Sequence, residues 1–77
     1  MAGLRIVELA GRRFEAVWVR AGGLWRIEAA ADQAAKLPAL VAGDRCGLTV
    51  EGEEVEVEVM TAERIGEVIR FVLLPLS

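Results

Sequence analysis

The sequence predicts an all-β domain: a small antiparallel barrel of five or six strands carrying one short helical turn. Three observations lead there. Stretches with β-branched and aromatic residues at period two recur along the chain, in "RRFEAVWVR", "LWRIEA" and "GLTVEGEEVEVEVM". Glycine-bearing turns separate them about every eight to twelve residues. The whole is 77 residues long, too few to shield the two edges of an open sheet, which favours closure.

Each element follows from its local pattern. "LRIVEL" (4 to 9) has a β-branched centre and apolar residues on both faces, a short strand turned by Gly11. In the next strand Phe14, Ala16 and Trp18 share one face, and Glu15, Val17 and Val19 the other. Ala21-Gly22-Gly23 supplies the permissive backbone of a tight turn, and Trp25 and Ile27 then face one way while Arg26 and Glu28 face the other. These two strands make a hairpin. In "AAADQAAKLPALVAGD", Asp32 is a suitable cap for one or two helical turns through Ala34, Ala35 and Lys36, which Pro38 ends. "AGD" (42 to 44) closes this crossover.

The strongest hairpin signal follows. Cys46, Leu48 and Val50 alternate with Gly47 and Thr49, Glu51-Gly52-Glu53 makes the corner, and Val55, Val57 and Val59 alternate with Glu54, Glu56 and Glu58. Full burial of a valine contributes roughly 1.5 to 3 kcal/mol, whereas burying three like charges costs far more. The valines are therefore expected inside and the carboxylates in water, and a slip of one residue would exchange the two sets. Thr61 to Arg64 reads as a connection, Gly66-Glu67 as a bulge, and "IGEVIRFVLL" as a last strand covered on both sides near its end.

Composition bounds function. One domain spanning 1–77 is expected. Apolar residues make up 55% of the chain and 27% are charged, the balance of a folded chain rather than a disordered one. The longest apolar run is far short of the ~20 residues a membrane helix needs, and the opening residues lack the form of a secretory signal. With Cys46 the only cysteine, no internal disulfide can form, and a cytoplasmic location is expected. The net charge is −3, distributed as +2 over residues 1 to 45 and −5 over residues 46 to 77. That acidity argues against nucleic-acid polymers as partners, which need a basic face. No histidine or tyrosine is present and the single serine is Ser77, so the usual nucleophile and base pairs are missing; neither catalysis nor a metal or other cofactor is expected.

Some residues stand out as candidates for binding. Arg12, Arg13, Arg20 and Arg26 are the one cationic concentration; guanidinium forks suit phosphate, and turn amides near Gly22 and Gly23 could assist. Ordinary surface pairing with Glu15 and Glu28 is the competing reading. Trp18 and Trp25, on opposite arms of one hairpin, are core anchors or, if exposed, contact residues for a protein partner beside Arg26. Cys46 shares the inward parity of Leu48 and Val50 and reads as a small hydrophobe.

Three stretches carry a family resemblance: "VRAGGLWRIE", "LVAGDRCGLTVEGEEVEVEV" and "ERIGEVIRF". In order and spacing they resemble the turn, hairpin and closing strand of a PilZ domain, over about residues 12 to 74. The resemblance implies a six-stranded barrel; an OB-like or SH3-like barrel is the alternative. Many PilZ domains bind cyclic di-GMP through RxxxR and (D/N)xSxxG motifs. Gly23 matches the last glycine of the second motif, but Trp18 and Arg20 stand at its Asp/Asn and serine positions, and neither Arg12 nor Arg13 has an arginine four residues on. Degenerate members act mainly through protein contacts. The resemblance thus implies a non-catalytic protein-interaction module in bacterial signalling or motility control. The alternatives are a cyclic di-GMP receptor using Arg12, Arg13, Arg20 and Gly23, and an OB-like accessory domain of a transporter. Apolar content high for so few residues raises self-association as a separate hypothesis.

Overall fold

The computed structural model describes residues 4–76, and these form six antiparallel strands closed into a barrel. Strands β1 (Arg5–Leu9), β2 (Arg12–Ala21) and β3 (Leu24–Ala30) make one meander, and β4 (Arg45–Val50), β5 (Glu53–Ile65) and β6 (Val68–Pro75) a second. The two meanders meet along β3–β6 and β1–β4, giving the closed order β1-β2-β3-β6-β5-β4.

Within each meander the strands are joined by two-residue loops, as the pairs Leu9↔Arg12, Ala21↔Leu24, Val50↔Glu53 and Ile65↔Val68 require. Three loops, Ala10-Gly11, Gly22-Gly23 and Glu51-Gly52, hold both residues at positive φ. That is the type I′ arrangement whose twist matches the flanking strands. At Gly22, open space surrounds the missing Cβ, so the left-handed backbone (φ 61°) and not crowding is what calls for glycine there. In the fourth loop only Gly66 is at positive φ, followed by Glu67.

Alternation puts one apolar set inside. Val7, Leu9, Phe14, Ile27, Leu48, Val57, Val59 and Leu73 are fully or almost fully buried, and no polar or charged side chain is buried among the described residues. Val57 and Val59 are inside while Glu54 and Glu56 are exposed, so the valine and glutamate faces lie as expected, with Val55 half-buried near the corner. The crossover runs as a 3₁₀ helix, Ala31–Lys36, followed by a segment whose Leu37 and Leu40 pack on the core. Asp44 then closes the crossover. Its carboxylate accepts from the Val41 amide at 3.0 Å, and its carbonyl accepts from the Val59 amide at 2.7 Å, fixing the loop to β5.

Four expectations are corrected. Asp32 does not cap the helix: the cap position is Ala30, which makes no side-chain capping bond, and Asp32 lies in the first turn. Thr61 to Arg64 is no connection but the second half of β5, where Ala62 faces in while Thr61 and Glu63 face water. Polar residues on the outward parity imitate a loop when read from sequence. Gly66-Glu67 is the hairpin turn, and the bulge lies instead at Met60, between Val59 and Thr61. Finally, the end of β6 is covered on one side only, since Leu74 remains 37% exposed.

Candidate functional site

The interior is shared by all six strands, so what distinguishes one part of the barrel from another is its outside. On β1, β4 and the first half of β5, the outward residues include Glu8, Gly47, Thr49, Glu54 and Glu56. These line an open groove of about 460 Å³. Water solvates this acidic wall well.

The wall made by β2, β3 and β6 is different. Val19, Ala21, Leu24, Arg26 and Val72 surround a shallow depression of about 150 Å³. Register sets them in a row: Val19 is opposite Arg26, and Arg26 is opposite Val72. The row continues onto β5, where Thr61 stands opposite Val72 and Glu58 opposite Leu74. The bulge at Met60 leaves that side chain 43% exposed between them. Val19 is 39% exposed, so Val19, Met60 and Leu74, with half-buried Val72 among them, put apolar side chains on the outer side of this wall.

Arg26 sits in the middle of that surface. The ion pairs among the described residues are Arg5–Glu51, Arg45–Glu58 and Arg70–Glu28, so Arg26 has none. The next row down is satisfied: Arg70 Nε donates to Glu28 at 2.7 Å, a charge-assisted bond between register partners.

The other candidate residues are scattered. Trp25 is 2% exposed and Trp18 is half-buried, their rings 5.1 Å apart and tilted by 49°, an aromatic pair closing the core beside the β2–β3 turn. Both indole N–H groups are buried without an acceptor, a cost of about 1 to 3 kcal/mol each that the packing of the rings must offset. Of the three residues considered for protein contact, Arg26 alone is exposed. Arg20 lies over the Trp25 ring at 5.1 Å, a cation–π contact that anchors it at the hairpin end. Arg12 and Arg13 begin the same strand, Arg13 opposite Glu8. Eight residues separate Arg12 from Arg20, roughly 26 Å at about 3.3 Å per residue, so these guanidinium groups do not converge on one point. Gly23, at φ 75°, is a turn residue.

Cys46 packs against the core, and burial first, then the carboxylates of Asp44 and Glu56, pushes its thiol up from its ordinary pKa. A thiol held protonated is a poor nucleophile and metal ligand. Among the described residues no three His, Cys, Asp or Glu side chains gather as a metal site. No described helix is long and apolar enough to cross a membrane. Comparison with family models, with curated proteins and with solved structures finds no match for this chain.

Sequence reading missed Leu24, Met60, Val72 and Leu74 as surface. The available signal was that β6 is apolar at both parities and β2 carries Val17 and Val19 opposite its core face. In a closed barrel only one parity can point inward, so a strand apolar on both must show one set to the outside.

Proposed function

We propose that this chain is a non-catalytic protein-interaction module whose contact face is the apolar wall of β2, β3 and β6, working in bacterial signalling or motility control. The observation that carries the reading is Arg26, without an ion-pair partner among the described residues, set among outward-facing aliphatic side chains. Apolar residues and arginine are the types enriched at the centres of protein contacts, whereas a face meant only for water gains nothing from them. The resemblance of residues 12 to 74 to a degenerate PilZ domain supports the cellular setting, since such members act through other proteins. The wide separation of Arg12 and Arg13 from Arg20 weighs against a cyclic di-GMP receptor.

The test compares the two walls. A photo-crosslinking amino acid at Val72 is expected to give defined protein adducts in the native cells, and one at Thr49, on the acidic wall, none. Equal labelling from both positions, or none from either, defeats the reading. In calorimetry, cyclic di-GMP is expected to give no saturable heat. Binding that is lost in an Arg12→Ala/Arg13→Ala double variant would restore the receptor alternative.

A further inference from the structure

We propose that the occupant of the apolar wall is a second copy of this chain, paired about a twofold axis that lies in the contact plane and crosses β6 between Val72 and Leu74. The inference rests on the reading of that wall as a contact face and names what covers it. In the barrel β6 has β3 on one side and β5 on the other, and the outward rows of the wall run on across β5. Arg26 of β3 stands level with Val72, and Glu58 of β5 stands level with Leu74. Arg26 and Glu58 are therefore displaced from the point between Val72 and Leu74 by one strand each, in opposite directions, and by one residue along the strand each, again in opposite directions.

A twofold axis lying in the contact plane, through that point and at right angles to the line from Arg26 to Glu58, sets Arg26 over the partner's Glu58 and Glu58 over the partner's Arg26. Val72 and Leu74 lie on either side of that axis, so the aliphatic side chains of the two copies cover one another there. One operation thus supplies two reciprocal ion pairs around an aliphatic centre, the self-complementarity an isologous interface requires. Two other placements are unfavourable. An axis through Arg26 itself opposes two guanidinium groups, and an axis through the acidic wall opposes Glu54 and Glu56 to carboxylates, arrangements that repel.

The charges are available for this. Arg26 has no ion-pair partner among the described residues, and the one ion contact of Glu58 is Arg45 Nε at 3.7 Å, too long for a hydrogen bond. The size is adequate as well. A stable interface covers about 800 Å² per partner, roughly one sixth of the 4803 Å² surface, an area within the outer face of three strands out of six.

Sedimentation of the full chain over a concentration series tests the proposal, with circular dichroism confirming that each variant folds. The wild type is expected to form a dimer. Arg26→Glu and Glu58→Arg should each raise the dissociation constant about tenfold or more, and the two combined should bring it back to within a few-fold of wild type. Leu74→Asp should give a monomer, and Glu54→Arg, on the acidic wall, should leave the dimer intact. A concentration-independent monomer mass for the wild type overturns the proposal. So does a Leu74→Asp variant that sediments as the wild type, or a double variant no tighter than the single ones. Should the wild type be monomeric while crosslinks from Val72 reach a different protein, the homodimer falls and the contact face stands; with no crosslink either, both fall.

Discussion

The acidic wall of β1, β4 and the first half of β5 and the apolar wall of β2, β3 and β6 enclose one interior, yet they are built on different compromises. In the β5 part of the acidic wall alternation is strict, Val57 and Val59 inside and Glu54 and Glu56 outside, and on β1 the outward aliphatic is Ile6, 52% exposed. On the apolar wall, Phe71 and Leu73 are inside, but Val72 and Leu74 on the outer parity are aliphatic too. The turns differ in the same sense. Ala10 and Glu51, which begin the β1–β2 and β4–β5 loops, hold φ near 50° without being glycine, a conformation costing roughly 1 to 2 kcal/mol, whereas the β2–β3 and β5–β6 loops begin with Gly22 and Gly66. The acidic wall thus has unambiguous faces on β5 and strained corners, and the apolar wall has relaxed corners and a surface that folding does not require. A feature that the fold does not need is where function is most legible.

Three tests would break or sharpen that contrast. The largest effect is expected from Val57→Glu, which puts a carboxylate into a fully apolar interior. Both walls depend on that interior, and the loss should exceed about 4 kcal/mol, enough to abolish a cooperative thermal transition in so small a domain. A well-folded variant would mean that the valine parity does not hold the barrel together. Next comes relief of the acidic wall's corners. Ala10→Asn should raise stability by up to about 1 kcal/mol in urea titration, because asparagine tolerates the left-handed region, and Gly22→Ala should lower it by a similar amount. Equal effects of one sign at the two sites would remove the distinction between the corners.

The smallest effect concerns Cys46, half-buried on β4 with its thiol pushed up by burial and by Asp44 and Glu56. The unfolded chain loses this proton at lower pH than the folded one. The contribution is therefore fully present below the unfolded thiol's pKa of about 8.5 and is lost as pH rises toward the folded value. Cys46→Ala should flatten the fall in stability above about pH 8.5, measured by urea midpoints at each pH. An unchanged slope would show that Cys46 does not contribute to it.

How much could be read beforehand varied with how one-sided each segment is. Residues 47 to 60 fixed their own strands, corner and faces, because valine and glutamate differ so greatly in transfer cost that only one register survives. The glycine pair at 22 and 23 likewise announced its hairpin. Thr61 to Arg64 was misread because Thr61, Glu63 and Arg64 are polar at adjacent positions, and only the pairing of Ala62 with Phe71 and of Glu63 with Arg70 makes that stretch a strand. The arginines looked like one cluster in the linear order. Strand length then set Arg12 and Arg20 at opposite ends of β2.

Local residue chemistry, then, was sufficient for the β class, the positions of most turns and the inward set, since each depends on near neighbours and on the cost of taking charge out of water. Which strands close the ring, and hence that Arg26, Val72, Leu74 and Glu58 meet on one outer surface, was decided by the pairing of β3 with β6 and β6 with β5. The β3–β6 pairing joins residues more than thirty positions apart in the chain, and no local preference encodes pairings of that kind. Closure selects them by leaving the fewest backbone groups unpaired.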